Sequence, residues 1–501
     1  MKKTYQVVTG VLIVLLIGFI SAHFIAKNKI RGVLKKEEKK GLTYDDFRIN
    51  LLMGSANMSS VAYPFDDNKI EAADIRISGL SYFDLLSKDE IRIKKISIEG
   101  PKTFLNQKEE KDESEDNSSG DSDLDKEITV EEVEIKNGSI LIKENKLTIL
   151  DLKEYDLNIR DIKVTKETLK NNIPFEYGEY NIQGKDLDYH LNQLQNILVA
   201  DFSIEGDDAI FNKVHLAPNY SREEYVEVIP YEKDLMNMEL EKLKLTGFQL
   251  NLAQDPQEFT ASQVDMEDIN LSIYRDKLVK DDPNDKKMYS RMLRELPIKL
   301  GIEKLNVRHA NLSYEEVQEK TGKTGKVFFS DMNVEATDIT NIGMEEKDFP
   351  TTSILINCQF MGEAPLETQW QFAVNNPSDE FTIKGSSKNI PPETLNSFFT
   401  PAFNMKAEGE NISELEFDFS GDSETAGGIY KMVYEDFEVE VLDQEENESK
   451  LLSFLANIFV KKDNNSNKDP VEVSDVERDK KRSFWNYFWN CIFEGLKETV
   501  I

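Results

Sequence analysis

The segment Ile93-Lys94-Lys95-Ile96-Ser97-Ile98 sets a pattern that recurs along the chain: apolar, two polar, apolar, one polar, apolar. It returns as Val130-Glu131-Glu132-Val133-Glu134-Ile135, Leu240-Glu241-Lys242-Leu243-Lys244-Leu245 and Ile302-Glu303-Lys304-Leu305-Asn306-Val307. A β-strand turns alternate side chains to opposite faces, so each copy reads as a strand with one apolar and one wet face. The intervals are uneven, 37 positions from Ile93 to Val130 and 110 from Val130 to Leu240. That excludes a strict solenoid or propeller period and suits a long sheet with loops of varying length.

Further alternation at Ile354, Ile356, Cys358 and Phe360, at Leu415, Phe417 and Phe419, and at Tyr430, Met432 and Tyr434 extends the strand reading towards the C-terminus. Two segments read as short helices. One is 189–198, with Leu191, Leu194, Ile197 and Leu198 at helical spacing; the other is 288–296, stopped by Pro297. At 501 residues the chain exceeds one compact core. The expected fold is mainly β: an elongated, curled antiparallel sheet forming a groove, with few short helices and one N-terminal transmembrane helix.

That helix is read at 7–26, an almost wholly apolar run bracketed by Lys2 and Lys3 before and by Lys27, Lys29 and Arg31 after. About 20 apolar residues span a bilayer. A cleavable signal peptide is the rival. Ile20 fits poorly two residues before Ala22 and the run exceeds the usual signal length, so an uncleaved anchor behind a short tail, 1–6, is favoured. Lys35, Lys36, Lys39 and Lys40 add positive charge downstream, which by charge counting alone places the body in the cytoplasm.

The chain carries 94 acidic against 61 basic residues, a formal charge of -33. Phosphate neutralisation needs a cationic stripe, so nucleic acid is excluded as a partner. The same charge opposes a body lying flat on anionic lipid and suits solubility. An N-terminal β region is read at 41–107, and a disordered acidic loop at 108–126 that lacks the spaced ligands of a calcium loop. An extended β body follows at 127–460 and a polar linker at 461–482. In the last segment, 483–501, Phe484, Trp485, Phe488, Trp489, Ile492, Phe493 and Leu496 share one helical face behind Ser483 as N-cap. A basic approach at Lys480, Lys481 and Arg482 suits a helix in a membrane interface. A helix plugging one end of the sheet's groove fits the same spacing.

Little in the chain suggests chemistry. His23, His190, His215 and His309 are scattered with no metal-ligand spacing. No nucleophile elbow, P-loop or dinucleotide fingerprint occurs. No enzyme activity, metal or cofactor is expected. Cys358 and Cys491 do not make a disulfide framework.

The stretches IEAADIRISGLSYFDLLSKDEIRIKKISIEGP, ITVEEVEIKNGSILI, VHLAPNYSREEY, GENISELEFDFSGDSETAGGIYKMVYEDFEVEVL and SFWNYFWNCIFEGLKETVI together resemble AsmA-like envelope proteins of the Bacteroidetes type, related to TamB-like β-groove proteins. The resemblance implies a single inner-membrane helix and a periplasmic β-groove. It also implies that the groove passes phospholipids between envelope membranes in support of outer-membrane homeostasis. Its partners would be phospholipids, the inner membrane, and outer-membrane or periplasmic proteins that extend the groove. About twenty strands at roughly 4.8 Å would build a trough of about 100 Å. The residues expected to line it are Ile96, Ile98, Val133, Ile135, Leu243, Leu245, Leu305 and Val307. Two alternatives stand beside this: a sandwich whose apolar face packs on a second sheet, and a scaffold for outer-membrane protein assembly that holds client strands on sheet edges.

Overall fold

The computed structural model describes residues 38, 41–88, 90–107, 126–171, 173–251, 256–319, 321–435, 437–442 and 469–500. The anchor reading at 7–26 and nearly all of the acidic loop at 108–126 lie outside them. The described chain is mainly β-strand with a few short helices. Among the described residues no helix is long and apolar enough to cross a membrane. The chain divides into two compact units, Met1–Lys213 and Val214–Ile501.

Unit 1 is a sheet whose strands follow in chain order: β1 (Asp46–Asn50), β2 (Ser55–Phe65), β3 (Asn68–Leu80), β4 (Glu90–Glu99) with β5 (Lys102–Gln107), β6 (Glu127–Glu144), β7 (Leu147–Val164), β8 (Tyr180–Asn192) and β9 (Gln195–Glu205). β4 and β5 lie end to end against both neighbours, separated by Gly100 and Pro101. The helix α1 (Tyr82–Ser87) packs beside β4, with Leu85 in the core. The β6–β7 hairpin closes on Asn145 and Lys146, both at positive φ, as a two-residue turn of matching twist requires. β10 (Asp208–Pro218) contains the division between the units.

Unit 2 pairs β11 (Leu235–Thr246) and β12 (Gln249–Asn251) with β13 (Glu258–Asp276). The order continues through β14 (Lys299–Val317), β15 (Thr324–Thr340), β16 (Thr352–Phe360), β17 (Ala364–Phe372), β18 (Phe381–Ile390), β20 (Asn411–Gly421), β21 (Thr425–Glu435) and β23 (Val471–Glu477). β19 (Met405–Glu408) and β22 (Glu438–Val441) form a separate ribbon. Among the described residues the helices α2 (Arg222–Val228), α3 (Tyr289–Arg294), α4 (Asn396–Phe403) and α5 (Phe484–Val500) accompany it.

The recurrent motif is placed with a regularity that strict alternation does not explain. A three-residue step such as Ile93 to Ile96 should put the two side chains on opposite faces, yet both are buried in one cluster. In each copy the residue after the first apolar one faces, across the antiparallel pair, a residue in the left-handed region. Lys94 faces Gly79 (φ 72°), Glu131 faces Asp161 (φ 54°), Glu241 faces Asp268 (φ 57°) and Glu303 faces Asp338 (φ 59°). The left-handed residue reverses the pleat, so two successive polar side chains point outward and the apolar side resumes on the same face. A further copy, Ala261-Ser262-Gln263-Val264-Asp265-Met266, places Ser262 against Gly247 (φ 61°).

The copies also lie side by side. Ile93, Ile96 and Ile98 pair in parallel with Val130, Val133 and Ile135, and Ala261, Val264 and Met266 with Ile302, Leu305 and Val307. The expected antiparallel sheet therefore carries parallel pairs, β4 and β5 with β6 and β13 with β14.

Two local expectations are corrected. The helix read at 189–198 is the β8–β9 hairpin, because Asn192 closes an Asx turn by accepting from the Leu194 amide at 2.8 Å. Its helical spacing came from crossing a turn. The linker read at 461–482 contains β23, where Val473 and Val476 are buried against β21 on either side of Asp475 at φ 56°. The helix read at 288–296 is present as α3.

The left-handed positions make a stability prediction. Asp161→Val and Asp338→Val should each lower stability by about 1–2 kcal/mol, since a β-branched residue is strained there. Asp161→Gly and Asp338→Gly should stay within about 0.5 kcal/mol of the parent. Urea unfolding midpoints of the four variants test the difference.

Candidate functional site

In unit 2 the cross-strand registers line apolar side chains into rows that run perpendicular to the strands. One row is Leu243, Met266, Val307, Val334 and Ile356, from β11 to β16, every member half-buried. Beyond Leu240, Ile269 and Ala310, which are buried, lies Met238, Leu271, Leu312, Phe329 and Phe360, again all half-buried. The next row is Met236, Ile273, Tyr314 and Val327. Five strands at roughly 4.8 Å spacing and ten residues at about 3.3 Å give a face of about 20 by 30 Å. Its principal contacts are between neighbouring strands, with α4 against β15.

A fourth row shows what full covering looks like. It runs Leu245, Val264, Leu305, Ala336, Ile354, Trp370, Ile383 and Phe419 across eight strands. Leu245, Leu305 and Ile354 are half-buried with the smaller Val264 and Ala336 buried between them, whereas Trp370, Ile383 and Phe419 are all buried. Over the last three strands lies α5. Phe484 stacks on Trp370 with centroids 4.9 Å apart and meets Phe381 edge-on at 5.1 Å. Phe488 meets Phe417 at 5.2 Å, and Trp489 meets Phe398 of α4 at 6.0 Å. Gly495 lets the helix lie against the Tyr430 ring, which fills the space a Cβ would need.

These contacts decide between the two readings of the C-terminal helix. Phe484, Phe488, Ile492 and Leu496 pack on the sheet of their own unit. Trp485, 45 % exposed, donates from Nε1 to the Tyr289 hydroxyl at 3.0 Å. Phe493 is half-buried. The preceding cations are engaged as well: Lys480 with Glu424 at 2.6 Å, Lys481 with Asp285 at 2.7 Å, Arg482 with Glu232 and Asp281 at 3.1 and 2.9 Å. Four of the seven residues assigned to a membrane interface therefore pack on protein, with α5 lying along the sheet of its own unit. Ser483 does act as N-cap, accepting from the Asn486 amide at 3.4 Å.

The eight residues expected to line a groove separate by unit. Leu243, Leu245, Leu305 and Val307 lie together on the half-covered face of unit 2. In unit 1, Ile96 and Val133 belong to a row with Ile77, Ile159 and Tyr180, while Ile98 and Ile135 sit between Ile75, Leu157, Ile182 and Ile204. Ile96, Val133 and Ile135 are 2 %, 0 % and 6 % exposed. These three are closed core rather than lining, and Ile98 is half-buried beside them.

Polar groups close one end of the unit 2 face. Arg275 donates to Asp234 at 2.6 Å, Lys277 pairs with Glu316 at 2.7 Å, and the Tyr314 hydroxyl donates to Glu316 at 2.5 Å. Burial, with the Glu316 carboxylate beside it, pushes the Tyr314 phenol well up. Burial opposes the charge on Arg275, but Asp234 holds it above the ordinary guanidinium range. These are matched ion pairs at the margin of an apolar surface. Cys358 and Cys491 are free thiols, pushed by burial up to about 11 and about 12. Both are therefore poor nucleophiles at neutral pH.

No family model, curated protein or solved structure matches the chain.

The docking of α5 predicts a sharp contrast between neighbours. Phe484→Ala should cost about 3–5 kcal/mol, and Trp485→Ala about 1 kcal/mol, because only the first vacates a closed aromatic pocket. Urea denaturation followed by near-ultraviolet circular dichroism distinguishes them.

Proposed function

We propose that the chain handles phospholipids, with acyl chains lying along the half-covered face of unit 2 and headgroups kept in water. The observation that carries this reading is the set of rows of half-buried apolar residues from β11 to β16, next to strands where α5 buries the same face completely. Each methylene taken from water contributes about 0.8 kcal/mol. A chain arriving from a bilayer leaves one hydrocarbon setting for another, so the transfer is close to neutral and needs little driving force.

The resemblance to AsmA-like envelope proteins extends the proposal: a chain held by residues 7–26 in a bacterial inner membrane, its body in the periplasm, passing phospholipids between the envelope membranes. The chemistry at the margins supports cargo binding over catalysis, since the titratable groups beside the face are matched in ion pairs.

Native mass spectrometry of the full chain, extracted in mild detergent, tests the binding step. The parent should carry co-purified phospholipid. Val307→Asp and Met266→Asp, each placing a carboxylate at the centre of the face, should lose most of it while keeping the parent's circular dichroism. A folded parent without lipid, or folded variants with undiminished lipid, would overturn the reading.

A further inference from the structure

One apolar feature lies outside both cores. Between β1 and β2 the chain turns through Leu51-Leu52-Met53-Gly54, and Leu51, Leu52 and Met53 are 44 %, 94 % and 72 % exposed. Beside the turn, at the start of α1, Phe83 is 70 % exposed. Water-facing leucine, methionine and phenylalanine gathered at one point mark a contact surface.

The turn is held out by its own hydrogen bonds. The Met53 amide donates to Asn50 Oδ1 at 3.1 Å, and the Tyr82 hydroxyl donates to the Leu51 carbonyl at 2.5 Å. The Leu80 amide donates to the Gly54 carbonyl at 3.0 Å. Gly54 sits at φ 57°, where a Cβ would come within 2.7 Å of the Leu80 carbonyl oxygen. Leu85 anchors α1 in the core while Phe83 points away from it. The apolar tip is therefore a rigid projection.

We propose that this tip inserts into the interface of the lipid bilayer that holds the N-terminal end of the chain. Its occupant follows from three features. A projecting turn of flexible apolar side chains fits a fluid hydrocarbon surface, which needs no complementary pocket. Ion pairs flank it, Arg48 with Asp46 at 2.6 Å and Lys88 with Asp84 at 2.8 Å, the Lys88 ammonium 5.8 Å from the Phe83 ring, so charged groups stand at the headgroup level beside the apolar tip. The same hairpin is also the first described element after the apolar run at 7–26. The fourteen residues 27–40 reach at most about 50 Å, and β1 from the Thr43–Ala62 bridge to the tip spans about 27 Å, so the tip is within range of that bilayer. The inference rests on the reading of 7–26 as membrane-embedded, but not on lipid binding by unit 2.

Both native cysteines are buried, so a single exposed cysteine can be labelled selectively. Leu52→Cys, Phe83→Cys and, on an exposed side chain of β3, Arg76→Cys would each carry an environment-sensitive NBD fluorophore. The full-length protein is reconstituted into phosphatidylethanolamine–phosphatidylglycerol vesicles with or without doxyl-labelled lipid, and flotation reports whether it is held there. Insertion to about 5–10 Å should shift the emission of the first two labels to the blue and quench it by about half or more, leaving Arg76→Cys unaffected. Floated protein whose Leu52 and Phe83 labels match the Arg76 label overturns the proposal. A blue shift that grows with protein concentration without quenching also overturns it, by identifying a second copy as the occupant. Failure to float overturns it at the anchor. None of these outcomes bears on lipid retention in the mass-spectrometric test.

Discussion

A sheet can keep long strands greasy on one side only if the alternation of side chains survives every bend. Here it does not survive unaided. Left-handed residues at Gly79, Asp161, Asp268 and Asp338 reverse the pleat opposite Lys94, Glu131, Glu241 and Glu303. On both strands of each pair the apolar residues then step by three: Ile77 to Leu80, Ile159 to Ile162, Met266 to Ile269, Ala336 to Ile339. The cores and the half-covered face depend on that phase correction. Without it, half of each strand would turn its apolar side to water, as a register slip does.

The same device sets how much of the fold was legible. The motif was visible, but its two adjacent polar residues are a signature of the bend rather than of simple alternation. A second signal went unread. Arg160-Asp161-Ile162, Lys185-Asp186-Leu187, Glu267-Asp268-Ile269, Ser330-Asp331-Met332, Thr337-Asp338-Ile339 and Ser474-Asp475-Val476 each place a left-handed aspartate between a polar and an apolar residue. Aspartate tolerates that conformation better than most residues, so polar–Asp–apolar inside a strand-like run reads as a bend. It would have recovered β23, which the neighbouring asparagine-rich run disguised as linker. It would not have settled the hairpin at Asn192, where helical spacing arises by coincidence across a turn.

The site was half legible for a different reason. Periodicity reports which side chains are apolar, not what lies over them. Val133 and Leu305 occupy equivalent motif positions, yet the first is fully buried and the second half-buried. The row from Leu245 to Phe419 contains both conditions: its large residues are half-buried at Leu245, Leu305 and Ile354 and buried at Trp370, Ile383 and Phe419, where the aromatic face of α5 lies. Of the apolar face read for α5, Phe484, Phe488, Ile492 and Leu496 pack on the sheet, but Trp485 is exposed and the buried Tyr487 and Cys491 lay outside it. Only the packing of Phe484 between Trp370 and Phe381, and the pairing of Arg482 with Glu232 and Asp281, reveals that this face meets protein.

That contrast bears on why a half-covered face should exist at all. Closing it with a second aromatic helix like α5 would add stability, since each large side chain fully buried contributes about 1.5–3 kcal/mol. The opposite side of the same strands is polar: Lys244, Asp265, Asn306 and Glu335 form a row, in which the buried Asn306 donates to Asp265 at 2.7 Å. Although burial opposes it, the bonds from Asn306 and Gln263 hold the Asp265 carboxyl below its usual range, so that side keeps its charge. With a formal charge of -33 the chain repels copies of itself, which offsets the tendency of an apolar face to associate face to face. A face protected from self-association by charge, and over which no helix like α5 lies among the described residues, suits a mobile hydrocarbon ligand, which can enter and leave without unfolding anything. A permanent partner would favour the opposite balance, with less charge and a larger closed contact.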